Sequence, residues 1–147
     1  MATYVKFNTF VGDLIGKVHD LLGTAGSTAD TLKIYLSNTA PTVTTNAVKA
    51  DLAEITNQNG YSAPVSTGNV GVNTAGTVTV TGTNITITAS GGSVGPFRYI
   101  VLYNSTAASG PLVAYWDYGS NLTLNAGDSF VIKFNNGVTS GTIFTLA

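Results

Sequence analysis

The sequence predicts a mainly β protein, a jelly-roll-like β-sandwich with a short N-terminal helical segment. Three observations point there. Thr (23), Gly (17), Asn (13) and Ser (11) make up 64 of the 147 residues, and Thr and Val suit a pleated, half-buried surface while Gly, Asn and Ser suit turns. The run Thr77–Thr88, TVTVTGTNITIT, alternates Val and Ile with Thr, which gives one apolar and one threonine-rich face. About eight or nine short strand-like segments follow one another at close spacing, as in a sandwich or barrel.

In chain order, Phe7, Phe10, Val11, Leu14, Ile15, Val18, Leu21 and Leu22 recur every three or four residues. That spacing predicts an amphipathic helix over 8–22, capped by Asn8 or Thr9. Gly12 and Gly16 each weaken it by about 1 kcal/mol relative to Ala, which favours an early stop. Gly23–Ala29 reads as a loop. Thr31–Ser37, TLKIYLS, reads as a strand, Asn38–Pro41 as a turn, and Ala47–Ile55 as a short helical turn. Asn57–Tyr61 is a loop around the turn-forming pair Asn59-Gly60. Thr77–Thr88 reads as a hairpin turning at Thr81–Asn84. Ser90–Pro96 is a glycine-rich loop. Phe97–Asn104, Leu112–Tyr118, Leu122–Leu124, Ser129–Phe134 and Ile143–Leu146 read as strands, with tight turns at Asn125–Asp128 and Asn135-Asn136-Gly137. No repeat with a period of a solenoid or propeller is present.

The length fits a single domain, 1–147, with a mixed N-terminal region (1–63) and a β-rich body (64–147). A chain of this size buries roughly 68–70% of its unfolded surface and needs no covalent staples. It has no Cys, one His, six basic and seven acidic residues, and only 9% charged residues. No charge occurs between residues 55 and 97. Without Cys there is no disulfide framework, thiolate metal site or cysteine nucleophile. A net charge of −1 argues against a nucleic-acid partner. No stretch is apolar enough for a membrane span, and Met1–Phe10 lacks the unbroken apolar run of a signal peptide. Few surface charges weaken repulsion between copies, which suits a chain that packs against itself or a large assembly. An ordinary extracellular β-domain would have the same profile.

The chemistry-bearing residues are sparse. Gly127-Asp128-Ser129 resembles the start of one serine hydrolase motif, but a serine nucleophile needs a His base and the only His is His19, far away in the N-terminal segment. His19, near the predicted helix end, suits a structural role. Asp117 and Asp128 could form a carboxylate pair, yet no D-x-D run or flanking pattern supports a calcium or glycosidase site. The loop Gly91-Gly92-Ser93-Val94-Gly95 has no Lys and precedes a strand, unlike a phosphate loop. Tyr103, Tyr115, Trp116 and Tyr118 are the aromatic focus; alternation puts Trp116 and Tyr118 on one face and Tyr115 on the other, so core packing, an interface or sugar stacking all remain open. Sequons begin at Asn84, Asn104 and Asn121, about as many as chance gives. No catalytic, cofactor-binding or metal-ligating residue is assigned, and no cofactor is expected.

The segments KFNTFVGDLIGKVHDLLG (6–23), TLKIYLSNTAP (31–41), VKADLAEITNQNGYSA (48–63), SGGSVGPFRYIVLYNSTA (90–107), PLVAYWDYGSNLTLNAGDSF (111–130) and FTLA (144–147) together resemble, in order and spacing, a family of small structural proteins of tailed bacteriophages. The resemblance is weakest across Val65–Ala89. It implies a non-enzymatic virion component made in the bacterial host cytoplasm. More specifically it implies a capsid decoration, or cement, protein on the capsid exterior, with the major capsid protein and further copies of itself, as a trimer, for partners. No catalytic residue is carried over by the resemblance. The alternatives are a tail, baseplate or fibre structural protein, or a carbohydrate-binding module for host adhesion, which requires one of Tyr115, Trp116 or Tyr118 exposed on a concave face.

Overall fold

The computed structural model describes residues 2–23 and 28–147, and only the main chain of Asn136. Among the described residues ten strands are present: β1 Tyr4–Lys6, β2 Leu32–Ser37, β3 Val65–Ser66, β4 Val70–Thr74, β5 Thr77–Thr83, β6 Ile85–Thr88, β7 Val94–Asn104, β8 Leu112–Leu124, β9 Ser129–Ile132 and β10 Ser140–Leu146. One α-helix, α1, spans Thr9–Ile15. The strands form a five-stranded sheet in the order β1-β8-β7-β2-β3, a three-stranded sheet β10-β5-β4 and a two-stranded sheet β6-β9, all antiparallel. The mainly β, sandwich-like expectation therefore holds. A jelly roll divides eight strands between two sheets; the pairing here is five, three and two.

The core follows from alternation. Leu32, Ile34 and Leu36 of β2, Ile100 and Leu102 of β7 and Ala114 of β8 point to one face of the large sheet. There they meet Val80 of β5, Ile85 and Ile87 of β6, Ile132 of β9 and Phe144 of β10 in one buried cluster. The opposite face of the large sheet is buried as well. Tyr35, Tyr99, Val101, Tyr103 and Leu112 pack there with Phe7 and Leu52. The segment between β2 and β3 folds back over this face, with the Tyr35 hydroxyl donating to Leu52 O and the Ser37 hydroxyl donating to Ala53 O. Burial on both faces explains why LKIYL and YIVLY read as near-continuous apolar runs, the pattern of strands with no solvent side. Each apolar side chain of this size contributes about 1.5–3 kcal/mol when fully buried.

Three local expectations are corrected. The helix ends at Ile15, well short of residue 22. Its end is a Schellman arrangement: Val18 N–H donates to Asp13 O and Lys17 N–H to Leu14 O, with Lys17 in the left-handed region at φ 60°. That geometry turns the chain away from the helix axis. No side chain caps the other end; Asn8 occupies the cap position without a cap bond. Second, Thr77–Thr88 is not a hairpin. β5 pairs with β4 and β10, while β6 pairs with β9; the hairpin is β4–β5, turning at Ala75-Gly76 with both φ positive. Third, Leu112–Tyr118 and Leu122–Leu124 are one strand, β8. Of the loop expected at Gly23–Ala29, residues 24–27 lie outside the described residues. The short turn expected within Ala47–Ile55 is present as a 3-10 turn at Lys49–Asp51. Its entry is held by Asp51, whose carboxylate accepts from Ala47 N and Val48 N. Those bonds hold the Asp51 carboxyl below its ordinary pKa.

Candidate interaction surface

The threonine alternation noted in the sequence has a structural outcome larger than one hairpin. Residues directly opposite in an antiparallel pair share a face. On β5, Thr81 lies opposite Val70 and Thr142, Thr79 opposite Val72 and Thr145, and Thr77 opposite Thr74. The inward set is Val78, Val80, Phe144 and Leu146, so the Thr and Val set looks outward. The two-stranded sheet repeats the pattern. Thr86 lies opposite Val131 and Thr88 opposite Ser129; all four are exposed while Ile85, Ile87 and Ile132 are buried. Strands β4, β5, β6, β9 and β10 contain no charged residue. The outside of this layer is thus a hydroxyl-rich face with apolar members Val70 (56% exposed), Val72 (52%) and Val131 (44%).

A second apolar exposure lies on the N-terminal segment. Phe7, Phe10 and Leu21 are buried, but Val11, Ile15, Val18 and Leu22 are exposed, Ile15 by 80%. The eight residues expected to form one buried face therefore divide. Val11 and Ile15, four apart, lie on the outward side of α1 itself, and beyond Ile15 the early helix stop takes residues 17–22 out of the helical register. The segment meets β4 on its core-facing side: Leu21 O and the Leu22 side chain lie so close to Gly71, opposite Val80, that any side chain there would collide with them. Gly71 is what lets the segment lie against the sheet.

The polar residues singled out in the sequence fall into separate places. Ser129 shares a hydrogen bond of 2.8 Å with the Thr88 hydroxyl. His19 is not beside it. Asp117 is paired bidentately with Arg98, at 2.7 and 2.8 Å, whereas Asp128 accepts from Asn125 N in its own turn. The hydrogen bonds from Arg98 hold the Asp117 carboxyl below the usual carboxylate range. The glycine-rich loop runs into β7 and is tied to the Asn59-Gly60 loop: Asn59 Nδ2 donates to Ser93 O, and Ser90 N–H to Asn59 O. Among the described residues no three of His, Asp and Glu come together as metal ligands would, and no helix is long and apolar enough to cross a membrane.

The aromatic focus splits as alternation predicts. Tyr115 and Tyr103 join the outer cluster with Phe7 and Tyr35. Trp116 is half-buried on the inner side against Tyr4 and Phe134. Tyr118 is 48% exposed and stands near-perpendicular to Phe130.

His19 has a role that sequence reasoning reached only in outline. It is buried beside Phe10, and its Nδ1 lies 2.9 Å from Asn104 Nδ2. Asn104, fully buried, accepts from Thr106 N and Ala107 N through Oδ1. That fixes its amide orientation, so Nδ2 is the donor toward both Asp30 Oδ2 (2.7 Å) and His19. His19 Nδ1 must then accept, and the ring is neutral with its proton on Nε2, 3.9 Å from Asp13 Oδ2. Burial lowers the His19 pKa, against opposing pulls from Asp13 and Asp30. A depressed His pKa makes the unfolded chain bind the proton first. The contribution to stability is full above pH 6.5 and is lost as pH falls from there through the folded-state value, at no more than about 1.4 kcal/mol per pH unit. Urea midpoints measured from pH 7.5 to 5 are expected to fall across this window, and His19→Gln, which retains an acceptor, is expected to flatten that part of the profile. The signal for Asn104 was absent from the sequence, where it stood out only as a sequon.

Comparison of the chain with protein-family models, with curated proteins and with solved structures finds no match.

Proposed function

We propose that the chain is a non-enzymatic structural protein of a tailed-phage virion. In this reading it decorates the outer surface of the head, binds the major capsid protein and further copies of itself as a trimer, and stabilises the shell. The observation that supports the reading is the uncharged Thr, Ser and Val face on five strands, together with the exposed stripe Val11, Ile15, Val18 and Leu22. Exposed apolar and hydroxyl surface of this kind marks protein contact. A face without charge can be covered without stranding an ion, and its hydroxyls can exchange water for protein partners at little net cost. A protein that binds the assembled shell in preference to free subunits stabilises it by mass action, and many modest contacts per particle add through multivalency.

Quantitative mass spectrometry of purified source particles tests this. The expected result is near one copy per major capsid subunit. A ratio of a few per cent would assign the chain to the tail, baseplate or fibre, and absence from the particle would remove the virion reading altogether. On stripped particles, the pair Val72→Asp and Thr79→Asp is expected to lower occupancy at least about tenfold, because it buries unpaired charge in the contact.

A further inference from the structure

The end of β8 is built unlike the rest of the large sheet. Between the pairs Tyr99↔Asp117 and Phe97↔Leu122, the four residues Tyr118, Gly119, Ser120 and Asn121 oppose Arg98 alone. Gly119 takes φ 97° there, and all four residues are exposed. Bulges re-aim side chains and cluster beside binding sites. Tyr118 stands at the rim of a cleft of ≈ 700 Å3 that is also lined by Thr3, Tyr115, Asp117 and Gly119. Its ring is steadied by the near-perpendicular contact with Phe130, 5.8 Å between centroids, yet half of the residue stays in solvent.

The polar group that lines the same cleft is the Asp117 carboxylate. It accepts from Arg98 Nε, Arg98 Nη2 and Gly119 N, three of about four acceptor positions. The pair is bidentate, and both side chains remain about one-third exposed. Its charges cancel, so the cleft does not select an anion or a cation. An apolar occupant would strip water from the pair and replace it with nothing. The ligand that matches has flat apolar faces and outward hydroxyls.

We propose that this cleft binds a neutral oligosaccharide, with the ring of Tyr118 at the rim against a sugar face and the Asp117 carboxylate, held by Arg98, hydrogen-bonded to sugar hydroxyls. The cleft volume lies within the range of small-ligand sites. The proposal is independent of where on a particle the chain sits.

The test is a titration of the full chain with maltohexaose, cellohexaose and chitohexaose, each to about 10 mM, enough to occupy a millimolar site. The readout is amide NMR shifts, with Trp116 fluorescence in parallel. The expected result is that at least one of the three shifts the amides of Asp117, Tyr118, Gly119 and Arg98. Tyr118→Ala is then expected to weaken binding roughly tenfold or more, while Tyr118→Phe retains it. Tyr118 is exposed enough for both variants to fold, and an unchanged thermal midpoint confirms it. Absence of localised shifts with all three saccharides, or binding that Tyr118→Ala leaves unchanged, would overturn the proposal.

Discussion

Replacing Asn104 by Ala is expected to lower the unfolding free energy by about 3 kcal/mol, from the loss of the four hydrogen bonds of a buried amide. The residue is fully buried and holds four partners at once: Thr106 N, Ala107 N, Asp30 Oδ2 and His19 Nδ1. Ala would leave each of them short of a hydrogen bond, and His19 so in a place water reaches poorly. For a domain of this size the thermal midpoint should drop by about 10 °C. Asn104→Asp separates charge from shape. It sets a carboxylate 2.7 Å from Asp30, and it reverses the sign of the environment at His19. The loss should therefore be larger at pH 8 than at pH 5, where a protonated His19 can partner the new carboxylate. Equal losses at both pH values would show that the bond network around His19 is not what Asn104 supports.

Phe97→Ala is expected to cost about 4 kcal/mol, in the range for a buried Phe truncated to Ala. Phe97 has no exposed surface and meets Phe130 edge-on at 5.3 Å. Because Phe97 is on the large sheet and Phe130 on the two-stranded one, this contact joins the two layers. Phe97→Leu, which keeps most of the volume, should cost less than about 1.5 kcal/mol. Chemical denaturation of the three proteins checks both values, and a Phe97→Ala loss below that of Phe97→Leu would contradict the cross-layer packing.

Much of the strand content was legible in the sequence, and the reason is physical. Alternation and β-branched content report which residues face the core, and these placed β2, β6 and most of β7 closely, with β8 in two pieces and β5 cut short by a turn expected at Thr81–Asn84. They do not report which strand lies beside which. TVTVTGTNITIT has the pattern of a hairpin, but its halves are taken by different partners, because Val80 finds Phe144 and Ile87 finds Phe130 in pairings set at long range. The helix was read too long because a periodic apolar pattern continues past Gly16, while the Schellman turn at Lys17 depends on backbone geometry that the pattern does not encode. At the candidate surface, the threonine face and the split of Tyr115 from Trp116 and Tyr118 were visible in the alternation. The Arg98–Asp117 pair was not, since a bulge of four residues separates the register on either side of it.

The pairing of β1 with β8 and of β5 with β10 also sets the order of events on a growing chain. Tyr4 must wait for Trp116, and Thr79 for Thr145. Neither the large sheet nor the three-stranded one can be completed before more than a hundred and more than sixty intervening residues, respectively, have left the ribosome. Sequence-distant pairing of this kind folds slowly and leaves strand edges bare in the interim. During synthesis the uncharged edge of β5 is open to the wrong neighbour, so the yield of soluble chain should depend on how quickly β10 emerges to cover it.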